Sequence, residues 1–515
     1  MATKLLIPFL LCFLAASASA LSQQQSRPLE YQLQAQQCNM DRISSSQPTI
    51  RMQHEGGVTE VWDSQEDQFI CAGIAPFRDV IEPQSLSVPK FFPAPRLVYI
   101  EQGRGVLGIN FPGCPPTFHS GGQQQQQQQY QRGPRRMMSG RGDEHQKIHR
   151  IQQGDIVAIP HGAATWSYND GNQDLIYVTI VDLNNDLNQL DQNFRGFLLG
   201  GGRSDARQSQ RELRGRGSQG SRRGWRGTEG QQWMSPNIFQ GFDEELIAEA
   251  FNVQTETVRR MQNDNRGMIV RCQEEMRFVT EEEEQMQQMG WGRQGQRGSH
   301  YVNENDEKSL PAAADEEEQQ ENGIEEGFCN MKIKHNLERP VQADFFTREA
   351  GRINIANRDK LPILGFLDMS AERGSIMPRA MYTPHWSMTD HRAVYVLRGD
   401  LQVQISDDKG NQIMNNRVQE GEMFVIPQFF ATMGMAGNQG CEYVTFKTSG
   451  RTMKHQMAGY SSVMRAMPID VLSNAFQMSP REAEQLKCNR DPESMLFSPI
   501  RGSSSSSRYP TTPVA

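Results

Sequence analysis

The segment GDIVAIP at residues 154–160 decides the fold, because the chain repeats it as GEMFVIP at 421–427, an offset of 267 residues. Three further pairs recur in the same order: RLVY at 96–99 with RAVY at 392–395, YVT at 177–179 with YVT at 443–445, and AF at 250–251 with AF at 475–476. Segments that recur in one order indicate a duplicated domain.

The offset between the two copies falls at two places, and both coincide with low-complexity sequence. It falls from 296 to 267 across the glutamine run that begins at Gln123. It falls again, from 266 to 225, across an Arg/Gly-rich block at 203–226. We therefore expect loop insertions into the first copy at about 119–147 and 203–230.

Each copy is predicted to be mainly β. Residues 97–100, 156–159 and 175–181 are short runs rich in Val, Ile and Leu, separated by Gly, Pro, Asn and Asp. Short strands with frequent turns favour a jelly-roll barrel or sandwich. The sequence thus predicts two such barrels in one chain.

A small helical extension is predicted after each barrel. Apolar residues recur at helical spacing through Phe242–Met261, and Asp243 near the start of this segment is the expected N-cap. The second copy repeats the pattern from Ile469 to Phe476, and Ser479-Pro480 predicts the start of a further helix.

The first twenty residues read as a secretory signal peptide, with cleavage between Ala20 and Leu21. Lys4 precedes an apolar run over 5–16, and small residues follow at 18–20. No later apolar run approaches the length of a membrane span. We therefore expect a secreted chain without a membrane anchor.

The organisation that follows has five parts: a signal peptide at 1–20, an N-terminal barrel with its helical extension at 21–270, an acidic variable linker at 271–322, a C-terminal barrel with its helical extension at 323–500, and a flexible tail at 501–515. The formal net charge of −8 and the pI of about 5.8 exclude a broadly basic nucleic-acid-binding protein.

The repeated segments resemble the two cupin motifs, so the resemblance implies a bicupin. Residues 154–160 with Gly162 and Asn169 are similar to the second motif, and His385 with Gly399 to the first. Enzymatic cupins hold a metal with three His and one Glu. The matching positions are His385, Ser387, Arg392 and Thr432 in the C-terminal copy, and Pro89, Phe91, Arg96 and Thr165 in the N-terminal copy.

One possible ligand among these eight positions cannot form the metal site, and an arginine in place of the glutamate would repel a cation. We therefore predict no cofactor, no metal and no enzymatic activity. His385 is expected to be a structural histidine on a strand, and His161 and His391 are expected to be surface residues.

The segment NGIEEGFC at 322–329 resembles the processing site of legumin-type (11S) seed storage globulins, although Gly327-Phe328 replaces the usual residues before the cysteine. The contexts of Cys38, Cys71 and Cys114 also resemble that family. The resemblance extends from about residue 28 to about 499.

This resemblance implies a seed storage protein, a reserve of nitrogen, carbon and sulfur that an asparaginyl endopeptidase cleaves between Asn322 and Gly323. The expected products are an acidic chain, with a net charge of −11 over 21–322, and a slightly basic chain, with +2 over 323–515. The resemblance further implies trimers that stack into hexamers after cleavage, deposition in the protein storage vacuole, and recognition by IgE as a food allergen.

The resemblance also implies two disulfides, Cys38 with Cys71 and Cys114 with Cys329. Signal cleavage leaves seven cysteines, and the sequence leaves the state of the other three open: Cys272, Cys441 and Cys488.

Three alternatives remain at this point. A vicilin-type storage globulin would have the same barrels, but the Asn-Gly site and its following cysteine argue against it. A metal-dependent cupin is opposed by the missing ligands. A cupin that binds a small ligand is opposed by the absence of any recognisable cluster of polar residues in the sequence.

Overall fold

The structure is a computed structural model. It describes residues 38, 40–116, 118–119, 144–202, 236–264, 266–278, 280, 329, 331–490, 493 and 495–498. The predicted cleavage sites at Ala20-Leu21 and Asn322-Gly323 lie outside these residues, as do most of both insertions, the linker from 281 and the tail at 501–515.

The N-terminal half contains strands β1 to β14 and helices α1 to α3. The strands are β1 (Ile50–His54), β2 (Gly57–Val61), β3 (Ile74–Ile81), β4 (Ser85–Phe91), β5 (Arg96–Gln102), β6 (Arg104–Asn110), β7 (Phe118–His119), β8 (Glu144–His145), β9 (Ile148–Gln152), β10 (Asp155–Ile159), β11 (Ala164–Tyr168), β12 (Leu175–Asp182), β13 (Phe197–Leu198) and β14 (Ile269–Arg271). The helices are α1 (Asp67–Ala72), α2 (Glu244–Phe251) and α3 (Thr255–Gln262).

The C-terminal half contains strands β15 to β25 and helices α4 to α7. The strands are β15 (Lys334–Asn336), β16 (Phe345–Thr347), β17 (Gly351–Ala356), β18 (Ser370–Ile376), β19 (Met381–Ser387), β20 (Arg392–Ser406), β21 (Gln412–Gln419), β22 (Met423–Ile426), β23 (Ala431–Lys447), β24 (Lys454–Gln456) and β25 (Leu496–Phe497). The helices are α4 (Ile363–Leu367), α5 (Val463–Ala466), α6 (Ile469–Phe476) and α7 (Pro480–Cys488).

Each half is a jelly-roll barrel, and the prediction of a mainly β bicupin is confirmed. The N-terminal barrel pairs its strands in two sheets, ordered β1-β2-β3-β12-β5-β10-β15 and β13-β4-β11-β6-β9, with β14 added to β4. Strand β12 is buried along its whole length, which fits its sequence LIYVTIVD and its place between β3 and β5. In the C-terminal barrel the long strands β20 and β23 pair with each other along most of their length.

The helical extensions show one agreement and one correction. Asp243 caps α2, because its carboxylate accepts hydrogen bonds from the amides of Glu245 and Leu246. The segment predicted as one helix is two, because the chain turns at Asn252, which has a φ of 52°. In the second copy Ser479 caps α7 and Pro480 occupies its first position, as expected.

The two barrels exchange segments across their interface. Strand β15, which follows the linker, pairs with β10 and so extends a sheet of the N-terminal barrel. In the opposite direction, residues 40–46 lie on the C-terminal barrel, where the amide of Ile43 donates to the carbonyl of Ile413. Trp62 packs edge-on against Tyr395 with 5.8 Å between ring centroids, so the apolar core is continuous between the halves.

Among the described residues, no helix is both long enough and apolar enough to span a membrane.

Candidate functional site

A cluster of buried charged groups lies inside the C-terminal barrel, with Glu372 of β18 at its centre. Its carboxylate accepts from Lys447 Nζ at 2.8 Å and from Lys454 Nζ, and also from the hydroxyls of Tyr443 at 3.1 Å and Tyr382 at 3.4 Å. Burial alone would raise the pKa of Glu372, but the two ammonium groups outweigh it and hold that pKa well below its usual range. Glu372 is therefore an anion with its accepting positions filled.

Beside this cluster, His385 of β19 contacts Arg392 of β20. The Nδ1 of His385 lies 2.8 Å from the carbonyl oxygen of Thr383, which can only accept, so Nδ1 carries the proton. The bare Nε2 therefore accepts from Arg392 Nη1. Burial first, and then the charge of Arg392, hold the pKa of His385 well below its usual range, so the ring is neutral. The lone pair that could bind a metal is thus occupied by the guanidinium.

The other positions of the cupin ligand set also make local hydrogen bonds. Ser387 Oγ donates to the carbonyl of Met453, and Thr432 Oγ1 donates to the carbonyl of Gln404. Within the described ranges, no three His, Cys, Asp or Glu side chains are grouped so that they could hold a metal ion.

The expectation that the barrel lacks a polar cluster was wrong. Glu372, Lys447 and Lys454 come from β18, β23 and the edge strand β24, which are up to 82 residues apart in the sequence. The sequence motifs contain none of the three residues, and only the pairing of distant strands brings them together.

The assignment of positions in the N-terminal barrel also requires a correction. In the C-terminal barrel, His385 pairs across the ladder with Thr432; in the N-terminal barrel, the equivalent Thr165 pairs with Lys90. Lys90, and not Pro89, is therefore the counterpart of His385. The N-terminal copy is one residue shorter between this position and Arg96, and a shift of one residue exchanges the two faces of a strand.

The interior of the N-terminal barrel has its own charge arrangement. Lys90 Nζ lies 3.3 Å from the carboxylate of Asp79, which is fully buried. Arg96 Nη2 donates to Thr165 Oγ1 at 2.5 Å, and its guanidinium lies 4.3 Å from the centre of the Phe92 ring. Burial lowers the pKa of Arg96 to about 9. Both barrels thus hold a buried arginine where an enzymatic cupin would hold the metal-binding glutamate.

The remaining histidines near the motifs are half-buried, although they were expected on the surface. The ring of His161 stacks on Phe366 with 6.1 Å between centroids, so it contacts the C-terminal half. The Nδ1 of His391 accepts from the amide of Gln428 at 3.3 Å.

The structure contains the disulfides Cys38–Cys71 and Cys114–Cys329, with sequence separations of 33 and 215 residues. Cys71 lies on helix α1 and not on a strand, because the segment that carries Cys38 packs on the C-terminal barrel beside that helix. The three other described thiols are free: Cys272 is half-buried, Cys441 is buried and Cys488 is exposed.

Both helical extensions expose apolar side chains at equivalent positions. Leu246 is 67% exposed and its counterpart Val471 is 48% exposed, while Phe251 and its counterpart Phe476 are 55% and 50% exposed. Each pair is separated by the offset of 225 residues that relates the two extensions. Large apolar groups that remain exposed together often mark an interaction surface.

Comparison with known proteins identifies the family. The cupin family model matches residues 43–199 and 335–484. An 11S globulin seed storage protein of Sesamum indicum is 44% identical over 468 residues, covering 90% of this chain and 93% of the relative. A 13S globulin seed storage protein of Fagopyrum tataricum is 39% identical over 97% of both chains.

Two solved structures are also similar along almost their whole length. The coconut allergen cocosin and a pumpkin seed globulin are 35% and 31% identical, and each match has a TM-score of 0.71 and covers 90% of this chain and 100% of the other. A vicilin of Solanum lycopersicum, at 15% identity and a TM-score of 0.59, shares the fold alone, so the vicilin-type alternative is not supported. The chain belongs to the cupin family and, within it, to the 11S globulin seed storage proteins.

Proposed function

We propose that this seed storage globulin is a reserve without enzymatic activity, and that it assembles into trimers through its two helical extensions. The observation that carries the proposal is the matched exposure of Leu246 and Phe251 in one extension and of Val471 and Phe476 in the other. Burying such side chains contributes about 1.5–3 kcal/mol each, so their exposure in the single chain favours association.

The duplication supports a ring in which the N-terminal extension of one copy meets the C-terminal half of the next. Such a contact joins two different surfaces of the same chain, and three copies close it into a trimer when the rotation between neighbours is one third of a turn. The two halves of this chain carry similar surfaces, which makes similar contacts possible at both ends of each copy.

We further propose cleavage after Asn322, by an asparaginyl endopeptidase in the protein storage vacuole, followed by the stacking of two trimers into a hexamer. The Asn322-Gly323 bond follows an acidic, polar segment, and glycine places little restriction on the backbone that a protease must bind. The composition suits a reserve, since the 26 methionines carry sulfur. IgE recognition is proposed on the same grounds, as a coconut relative is described as an allergen.

The assembly is tested with the uncleaved protein and two single variants, Phe251→Asp and Phe476→Asp. In a ring, either variant damages every interface, so each is expected to sediment as a monomer where the wild type sediments as a trimer. Val341→Asp is the control, because Val341 is 98% exposed but lies outside the helical extensions. Trimers in both phenylalanine variants would contradict the proposal.

A further inference from the structure

We propose that the C-terminal barrel binds a short carboxylate, such as formate or acetate, at the guanidinium of Arg392. The inference is independent of the storage function, because it rests only on the barrel interior.

The proposed site is a cavity of about 50 Å³ between the strands of this barrel. Arg392, Lys454 and Thr432 line its polar side, and Leu401 and Phe424 line its apolar side. That volume accommodates about four water-sized groups, which matches formate or acetate and excludes larger acids.

Arg392 supplies hydrogen-bond donors that the protein does not use. Its side chain is 3% exposed, and Nη1 is taken by His385. Neither Nε nor Nη2 has a hydrogen-bond partner among the described residues, and the nearest carboxylate oxygen, Oδ1 of Asp390, lies 4.0 Å from Nε. Nε and Nη2 face the same side of the guanidinium, so together they match the two oxygens of a carboxylate.

The charges in and around the cavity also require an anion. Three cationic groups, those of Arg392, Lys447 and Lys454, are accompanied by two carboxylates, those of Glu372 and Asp390. Glu372 already accepts from both lysines and two tyrosines, so it cannot also neutralise Arg392. An unpaired charge in a protein interior is costly, and one monovalent anion removes the excess.

The N-terminal barrel is a weaker candidate for the same ligand. Its cavity is about 30 Å³, and Arg96 is held by Thr165 and by the face of the Phe92 ring. We therefore place the carboxylate in the C-terminal barrel.

The location of the site is tested by crystallography on the full chain, purified without carboxylate buffers. Crystals soaked in sodium bromide are expected to show an anomalous peak beside Nε and Nη2 of Arg392. Adding sodium formate is expected to displace the bromide and leave density for a planar carboxylate. Absence of the bromide peak, or a peak that formate does not displace, would overturn the proposal.

Calorimetric titration with sodium formate tests the role of the arginine in solution. Arg392→Met is expected to weaken formate binding at least about tenfold, since it removes charged hydrogen bonds. Arg417→Met is the matched control, because Arg417 is 58% exposed on strand β21 of the same barrel, and it is expected to bind formate as the wild type does. If Arg392→Met does not fold, the bromide displacement in the wild type still decides the outcome. Equal binding by wild type and a folded Arg392→Met variant would refute the site.

Discussion

Ser46 and Met423 exchange two backbone hydrogen bonds, 3.0 Å from the amide of Ser46 to the carbonyl of Met423 and 2.9 Å in the other direction. Asn322 lies between them in the sequence, so the proposed cleavage places them in different chains. The exchange is reciprocal, because β15 on the far side of the cut pairs with β10. The two chains therefore hold each other through sheet pairing as well as through a disulfide.

The first prediction concerns the cleaved protein under native conditions. We expect reductant alone, without denaturant, to leave its sedimentation coefficient unchanged. The exchanged strands and the shared apolar core, including Trp62 against Tyr395, remain in place when the disulfides open. The control is the same sample with reductant and denaturant, in which the chains separate. Release of a chain by reductant alone would show that the interface is weaker than its contacts indicate.

The second prediction concerns Glu372. Glu372→Gln leaves the buried ammonium groups of Lys447 and Lys454 without a carboxylate, so we expect a loss of about 3–5 kcal/mol in the free energy of unfolding. Asp400→Asn is the control, because its partner Arg417 is exposed, and it should cost less than about 1 kcal/mol. Denaturant titration of the three proteins measures the difference; similar losses in both variants would refute the argument.

The third prediction concerns pH and Asp182, at the boundary between the barrels. Burial raises the pKa of Asp182 to about 7, and the nearby Asp368 also raises it. The unfolded value is near 4, so between about pH 4 and pH 7 the folded chain binds more protons than the unfolded chain. The free energy of unfolding from this group therefore falls as pH rises through that window.

Asp182→Asn removes this dependence. We expect it to raise the melting temperature at about pH 8 and to leave it nearly unchanged at about pH 4, with a gain of up to about 4 kcal/mol at the higher pH. Asp186→Asn, at an exposed neighbouring position, is the control and should show no such difference. A gain that is equal at both pH values would exclude the titration of Asp182 as its cause.

The fourth prediction is that the protein purified without chelator contains manganese, iron, copper and zinc far below one ion per chain. The physical reason is that Arg392 holds the Nε2 of His385, so the barrel offers a cation a positive charge instead of a lone pair. Elemental analysis measures the content, and His385→Ala is expected to leave it unchanged. A stoichiometric metal that is lost in His385→Ala would contradict this.

The duplication was readable from the sequence because the repeated segments form the cores of paired strands. GDIVAIP and GEMFVIP contain strands β10 and β22, and their offset survives every surface insertion. The helix caps at Asp243 and Ser479 were predictable for a different reason, since capping is a local interaction.

The parts that sequence reasoning missed depend on single-residue register or on distant contacts. One missing residue between Lys90 and Arg96 changes which side chain faces the barrel interior, and the composition of the segment does not reveal it. The pairing of Glu372 with Lys454 joins strands that are separated by 82 residues. The packing of residues 40–46 on the opposite barrel likewise depends on the docking of the two halves.

The last prediction concerns the disulfide between Cys114 and Cys329. In the uncleaved chain it closes a loop of 215 residues, which the chain-entropy model values at about 5 kcal/mol of stability. Cleavage after Asn322 opens that loop, so the bridge then becomes a tether between two chains. Cys329 lies seven residues after Asn322, close to the new end of the basic chain.

We therefore expect the cleaved protein to migrate as one species on a denaturing gel without reductant. With reductant it should give an acidic chain that starts near Leu21 and a basic chain that starts at Gly323. Cys329→Ser should give two chains under both conditions. Cys488→Ser is the matched control, since Cys488 is an exposed free thiol of the same chain, and it should behave as the wild type. A Cys329→Ser protein that stays joined after cleavage would assign the tether to another cysteine.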